Sequence, residues 1–468
     1  RNNEDRHPFI FLLRSASLLD LYHVKNDEWM TLASPALAGT FGAGAGAEFL
    51  PSQGPRGTLA TGCTSTSMVL STALPAVVGV NALANRGDGI GFKIRIIGNA
   101  AGSSGKTEER YIIGNTGGTT PTITLDSTLS FTPAADDAYE FLSGRVFMLS
   151  AGTLAAGVWK YYDVLTNSLS GNLATTNLPA TISTDFSAVA LDELHVPYNR
   201  NPGEGFLGSL VATAAAAGTI TGQATGGDAA VLLNEYRNFQ IRIVQDTGAP
   251  TAVGQRRLIS SHTAGPSAVY TLASNWTVTP SATATFVIEN CNYLLVFSSA
   301  QGTVFTYNPT PLIIGSLATD TWNTAVFSPR GANMGAGCTS CQSFGLVPDA
   351  AKSARHSFIY SFRGGNVNTL DLLDIAGGAT GAWTLGIGYG NASANFLFTT
   401  MAMPQPTSSS RPGPVASMLR QYSKAATFTS PTTARNASPG STCLTATWNP
   451  GAGCAMHKAP RPWGSVAP

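Results

Sequence analysis

The residues most able to do chemistry in this chain are few and scattered. Cys338-Thr339-Ser340-Cys341 has the spacing of a metal or redox pair. A structural zinc needs four ligands, and the sequence holds no second pair of this kind. The nearest histidine, His356, lies fifteen residues beyond Cys341, and His7, His23, His195, His262 and His457 are no closer to one another than a chance scatter. The pair therefore reads as two ordinary thiols in a loop. Cys63, Cys291, Cys443 and Cys454 complete a set too irregular for a disulfide framework.

Adjacent carboxylates occur at Glu108-Glu109 and Asp136-Asp137. A general acid–base pair would use such groups, but both fall where the pattern predicts turns, and both are expected to be solvated. HExxH, GxSxG and P-loop patterns are absent. The Ser-x-Asp-x-Gly-x-Thr-Trp turns of sialidases are absent too, and Cys291, Tyr307 and His356 make only a thin case for a copper-radical site. No catalytic, cofactor-binding or metal-binding residue is assigned, no cofactor is expected, and the chain is read as a non-enzyme. Arg86-Gly87-Asp88 spells an adhesion tripeptide, and Asn275, Asn391 and Asn436 head glycosylation sequons; each is a short pattern that recurs by chance.

Composition narrows the classes further. The 468 residues are 43% hydrophobic but only 11% charged, with a formal net charge of +1. Ordinary soluble domains carry about 25% charge, so either much of the surface lies against neighbouring subunits or the chain is a soluble Thr/Ser-rich β-protein. Near-neutrality argues against a general nucleic-acid-binding face. No apolar run reaches the ~20 residues of a membrane span, and Pro8–Leu13, between Arg6 and Arg14, lacks the form of a secretory leader.

The elements that would position any site are repeated. Phe92-Lys93-Ile94-Arg95-Ile96-Ile97 returns 147 residues later as Phe239-Gln240-Ile241-Arg242-Ile243-Val244. At the same offset Arg110 meets Arg257, Ile112 meets Ile259, Thr124-Leu125 meets Thr271-Leu272, and Thr132-Pro133 meets Thr279-Pro280. No gap is needed from Phe92 to about Leu149. Alternation of apolar and polar residues in both copies predicts half-buried strands, with Arg95 and Arg242 on the solvent side. Gly102–Gly105 and Gly248–Gly254 are expected hairpin loops. Each copy is then a small β-barrel or sandwich.

A second phrase also recurs: an apolar strand, a short turn, an apolar strand bearing Asp or Asn, and a Trp. It is written at Phe9–Leu13 with Leu18–Val24 and Trp29, and at Val146–Ser150 with Val158–Leu165. It returns at Leu294–Phe297 with Val304–Asn308 and Trp322, and at Phe358–Phe362 with Leu370–Ile375 and Trp383. A weak fifth copy begins at Phe396-Leu397-Phe398. Self-similarity of this kind signals propeller blades. The phrase resembles a kelch-type blade, although the Gly pair typical of kelch stands only at Gly364-Gly365.

The expected fold is all-β: a kelch-like β-propeller of at least four blades, with two β modules inserted in its inter-blade connections. The divisions are a first blade and loop at 1–57, module one at 58–143, a blade at 144–204, module two at 205–290, blades at 291–403, and a Pro/Ser/Thr-rich basic arm at 404–468. After Asp374 the chain has no acidic residue, while Arg411, Arg420, Lys424, Arg435, Lys458 and Arg461 follow. The arm is expected to be an extended tail that packs on adjacent subunits, and any nucleic-acid contact is expected through it alone.

The module resembles a segment of tailed-bacteriophage virion proteins: an aromatic-x-Val/Ile-Arg-Ile strand, a Gly-Thr-Gly loop, an Arg-x-Ile strand, then Thr-Leu-Thr-Val, Trp and Pro. Here it reads Phe239–Val244, Thr247-Gly248, Arg257-Leu258-Ile259, Thr271-Leu272, Trp276 and Pro280. The first copy departs from it, with Leu129 at the Trp position. The resemblance implies a structural component of a phage tail or head–tail junction, of the nozzle, adaptor or collar type, forming a symmetric ring. Its partners would be copies of itself and other virion proteins, with portal, adaptor or fibre docking and no membrane. The alternative is a carbohydrate-binding propeller using Trp29, Trp159 and Trp383.

Overall fold

The computed structural model describes residues within Phe9–Gly388. Positions 1–8 and 389–468 lie outside the description, as do 33–40, 196–204, 224–231, 310–321, 345–356 and some shorter stretches. The expectations for Cys338, His356, Gly364-Gly365, Asn391, Asn436, Phe396–Phe398 and the basic arm therefore lie outside the described residues.

The described chain is all-β, broken only by two single-turn 3₁₀ segments, Ala82–Ala84 and Pro250–Ala252. Four antiparallel sheets form a series. The first holds Phe9–Ser15, Leu18–His23 and Glu28–Leu32. The second orders Gly46–Leu50, Arg145–Leu149, Trp159–Asp163 and Ser168–Leu169. The third orders Phe186–Leu191, Tyr293–Ser298, Val304–Tyr307 and Trp322–Asn323, and the fourth Thr339–Phe344, Ser357–Phe362, Thr369–Asp374 and Ala382–Gly388. The hairpin of the recurring phrase is the second and third strands of the second, third and fourth sheets, and the first and second strands of the first. Asp163 and Asp374 close those strands by accepting the backbone N–H of Thr166 and of Ala376, at 3.1 Å each.

Sheets pack face to face. Val146, Met148 and Tyr162 of the second sheet meet Leu19, Phe11 and Leu13 of the first. On its other side Phe147 and Trp159 meet Tyr307 and Trp322 of the third, with the two indole rings 4.9 Å apart. Phe297 of the third sheet meets Trp383 of the fourth edge to face, and the Trp383 indole donates to Ser328 O at 3.0 Å. The first strands of the second, third and fourth sheets are neighbours: Gly46–Leu50 lies beside Phe186–Leu191, which lies beside Thr339–Phe344. A closed ring of sheets is not seen among the described residues.

The duplicated module is a six-stranded barrel, and its place differs from expectation. Each barrel interrupts a sheet between its first and second strands rather than joining two sheets. Gly46–Leu50 pairs with Arg145–Leu149, although the first barrel fills the chain between them. Phe186–Leu191 pairs with Tyr293–Ser298 around the second. The chain must leave and re-enter one sheet edge, so the two ends of each barrel are held a single strand spacing apart, about 4.8 Å.

The second barrel closes in the order Leu210–Ala216, Thr219–Gln223, Ser267–Leu272, Arg256–His262, Gln240–Gln245 and Thr285–Glu289. The first has the same order: Arg56–Thr58, Ser67–Val69, Thr122–Leu125, Thr107–Asn115, Lys93–Ile97 and Ala138–Leu142. Its seam between the two short strands is joined through the Leu59–Leu70 bridge, with Ala60 N donating to Val69 O at 2.8 Å and Ser71 N to Thr58 O at 3.0 Å. The inner faces repeat: Ile94, Ile96, Ile112 and Ile123 fill the first core, and Ile241, Ile243, Ile259 and Tyr270 the second. Burying such side chains contributes about 1.5–3 kcal/mol each.

Candidate functional site

Both repeated arginines are buried, not solvent-facing as the alternation predicts; Arg95 is 0% and Arg242 2% exposed. Their strands are covered on both faces, one by the barrel core and the other by the junction between barrels. The loops meet there. Asp246 N donates to Gly105 O at 2.7 Å, and a bridge links Lys106 to Gln245. Gly105 takes a positive φ of 62°, and a Cβ on it would stand 2.1 Å from Asp246 O, so this approach requires glycine.

Charged side chains from both barrels and from the sheet series converge near that contact. Arg95 reaches Glu109 through Nε at 3.0 Å, and its Nη1 lies 2.9 Å from Glu140 and 2.5 Å from Glu193. Arg256 of the second barrel makes a paired contact with Glu140 of the first, at 3.0 and 2.9 Å, and its Nε donates to Glu193 at 3.1 Å. Arg242 forks onto Glu289 at 2.9 and 3.1 Å, and Gln240 donates to the same carboxylate at 3.0 Å. Glu193, just past the third sheet's first strand, also accepts from Asn292 Nδ2 at 2.8 Å.

Electrostatics follow from this geometry. Burial alone would raise the Glu140 carboxyl, but Arg256, Arg56 and Arg95 outweigh it and hold the pKa well below the carboxylate range. Glu193 is likewise held low, against burial, by Arg256, Arg95 and Arg242. Burial opposes the Arg256 charge, yet Glu140 and Glu193 keep its pKa above the ordinary value. Burial pushes Glu289 up to about 7, with Arg242 opposing it. Nearby Asp192 accepts from the backbone N–H and hydroxyl of Ser52 at 3.0 and 2.7 Å, and burial raises it to about 7.

This cluster is a cross-link. Its carboxylates face guanidinium groups, and its geometry couples both barrels to the sheet series. Sequence reasoning located Glu109 but placed it in a solvated turn; it lies in strand Thr107–Asn115 and pairs with Arg95. Glu140, Glu193 and Glu289 were missed, because isolated glutamates in apolar strands carry no motif. A signal was available in the offset itself: at the twin of Glu109 stands Arg256, and at the twin of Leu142 stands Glu289.

Asp137, also expected in a solvated turn, is buried and accepts the backbone N–H of Ala100 at 2.7 Å and of Ala134 at 2.8 Å. The second barrel has Ala284 there, and Asp246 takes over the task from the opposite loop. It accepts from Gly248, Ala249 and Ser281 at 3.0, 2.9 and 2.7 Å. Ser281 is the twin of Ala134, so one tie is built from either side. Arg86 of the adhesion tripeptide is buried, which removes its charge from presentation.

Of the aromatics proposed for sugar stacking, Trp159 is 1% exposed in the inter-sheet core, while Trp29 is 52% exposed and lies 5.0 Å from the Tyr22 ring. A cavity of about 370 Å³ is lined by Asn177, Tyr293, Thr306, Asn308, Trp322, Asn323 and Val326, with no charged group among its lining residues. Among the described residues no cluster of His, Cys, Asp and Glu is placed to hold a metal ion, and no helix is long and apolar enough to cross a membrane.

No family model matches the chain, and no curated protein matches it. Among solved structures the chain aligns with the Phage phi92 endosialidase at 9% identity and a TM-score of 0.15, over 80% of this chain and 47% of that one. The chain thus spans about half the length of that structure. Similarity at this level carries no argument about fold or activity.

Proposed function

We propose that the chain is a structural component of a bacteriophage virion, at the tail or the head–tail junction, where copies assemble into a symmetric ring. The sheet series is read as a kelch-like propeller body, and the two barrels as docking modules fixed to it. The observation that carries this reading is the duplicated barrel, whose copies keep the core and diverge where they bind each other. What repeats is a shape with a rigid mount, as a scaffold needs.

The barrels also repeat an exposed apolar tip. Val80 and Leu233 are each 68% exposed, each just before an asparagine with positive φ, Asn81 and Asn234. Those asparagines donate their backbone N–H to Asn115 O and His262 O, which are twin positions. Apolar tips at matched places suit contacts with other virion proteins.

The test is mass spectrometry of purified particles combined with solution mass of the isolated chain. Stoichiometric presence in particles and a discrete ring-sized oligomer are expected; absence from particles together with a monomer at high concentration contradicts the proposal. The neutral, amide-rich cavity supports a second reading, a glycan-binding propeller. Selective glycan-array binding that is lost in Asn323→Ala would favour it over the scaffold.

A further inference from the structure

The two barrels tie their tip turns with different chemistry at one twin position. In the first, the Asn115 side chain accepts the Leu83 backbone N–H through Oδ1 at 2.9 Å, and its Nδ2 donates to Gly79 O at 3.0 Å and Thr116 O at 3.2 Å. In the second the twin is His262, whose Nε2 accepts the Tyr236 backbone N–H at 2.8 Å and whose Nδ1 lies 2.9 Å from Thr263 O. Asn81 and Asn234 hold the same corner in each barrel. Both have positive φ, and their Oδ1 atoms accept the backbone N–H of Asn115 at 3.3 Å and of His262 at 2.8 Å.

This geometry fixes the state of the ring. A backbone N–H only donates, so Nε2 presents its lone pair, and Nδ1 carries the proton that goes to Thr263 O. That neutral imidazole reproduces the amide of Asn115: one acceptor toward the turn, one donor toward the carbonyl of the next residue. The amide takes up no proton near neutrality, whereas free imidazole does so at about pH 6.5. A proton on Nε2 would set N–H against N–H and abolish the bond to Tyr236. The ring is 3% exposed, so the displaced N–H would stay buried and unpaired unless the turn moved.

The ring is faced by Tyr236 of the turn, 6.0 Å between ring centres, and by Tyr270 of strand Ser267–Leu272, at 5.1 Å. Among the described residues the charged groups on the elements packed against it are Glu235 and Arg237 of the turn and Arg256 and Arg257 of its own strand. Glu235 accepts the Leu232 N–H at 2.9 Å, Arg237 donates to Ser260 O at 3.1 Å, and Arg257 donates to Asn275 O at 2.7 Å. Arg256 is held by Glu140 and Glu193. We propose that the turn at 232–238 is a pH-sensitive latch: protonation of His262 releases the tip of the second barrel, while the tip of the first stays tied. The tie is present above the ordinary histidine range and is lost as pH falls through it. What it frees is the turn that carries Leu232 and Leu233, 45% and 68% exposed. The latch needs no partner, so it stands or falls apart from any role in a virion.

Two measurements on the full-length chain test this. Hydrogen exchange at pH 7.5 and 5.5, corrected for the intrinsic pH dependence of exchange, should show protection of the 232–238 amides falling at least about 10-fold, with 79–85 changing less than about 3-fold. Asp192 and Glu289, raised to about 7, titrate over the same interval, so the response must follow the imidazole. His262→Asn should abolish it, and Asn115→His should transfer it to 79–85. No fall in the unaltered chain, an equal fall in both turns, or a fall that survives His262→Asn overturns the proposal. The second measurement needs no substitution. Nitrogen-15 spectra of the His262 ring should show the Nδ1-protonated neutral form at pH 7.5 and double protonation by pH 5.5, in step with the loss of protection. A ring that stays neutral, or that protonates while 232–238 stays protected, overturns it equally.

Discussion

The two barrels share strand order, core positions and loop ties, yet differ at twin positions that face their junction, Lys93 and Gln240 among them. Glu109 in the first corresponds to Arg256 in the second, Glu140 to Val287, and Leu142 to Glu289. Had the copies stayed identical, Arg242 would face a glutamate at position 256 within its own barrel, as Arg95 faces Glu109. Instead Arg256 leaves its own barrel to bind Glu140 of the first and Glu193 of the sheet series, and Arg242 turns to Glu289. Divergence converted two self-contained charge sets into one shared set. The core tolerates copying because any barrel of this order needs it; the junction has to become asymmetric, because two identical charged faces cannot complement one another.

The largest expected effect comes from breaking the shared set on one side. Arg256→Met leaves Glu140 and Glu193 buried without their main partner, and removing one member of a buried pair costs about 3–5 kcal/mol. Urea unfolding followed by tryptophan fluorescence should register that loss. The opposite kind of position should treat the barrels alike. Ile96→Ala and Ile243→Ala, both fully buried twins, should each cost about 2–5 kcal/mol and agree with one another within about 1 kcal/mol; a large disagreement would mean that the cores are not equivalent.

Much of this was legible in the sequence, for identifiable reasons. The gapless offset found four of the six barrel strands, because the segments from Phe92 to Leu142 and from Phe239 to Glu289 kept their length. The first two strands escaped it. Thr58 and Val211 pair with the twins Ala138 and Thr285 but stand 153 residues apart rather than 147, so the copies differ in length before Phe92 and Phe239. The recurring phrase marked a paired hairpin in each of the four sheets, being apolar strands joined by a short turn. Insertion within a sheet was hidden, since the first strand lies far from its partners along the chain. Alternation misplaced Arg95 and Arg242, because it reports two different faces and cannot tell water from a second protein surface.

A smaller effect separates the two loop ties. Asp137→Ala should cost about 1–3 kcal/mol by leaving the Ala100 and Ala134 amides unpaired, and so should Asp246→Ala in the second barrel. Asn99 is the twin of Asp246, so adding Asn99→Asp to Asp137→Ala should recover part of the loss. No recovery would mean that the loops are not interchangeable.

The gentlest test uses pH. Asp192 has its folded pKa raised from 3.8 to about 7. Its contribution to stability is therefore complete below pH 3.8 and is lost as pH rises toward and past 7. Glu140 and Glu193, held below 4.5, contribute fully above that value and lose it as pH falls. Stability should peak between these limits, and Asp192→Asn should flatten its decline from pH 4 to pH 7. An unchanged slope would place the decline elsewhere.

The bond between Arg256 of one barrel and Glu140 of the other is what joins the barrels most directly. A double-mutant cycle with Arg256→Met, Glu140→Leu and the pair, read by urea unfolding, measures it without reference to any partner. A coupling of about 2 kcal/mol or more is expected, with the double variant more stable than the Arg256→Met single. Additivity within about 0.5 kcal/mol would contradict it, and the barrels would then be neighbours rather than one joined unit.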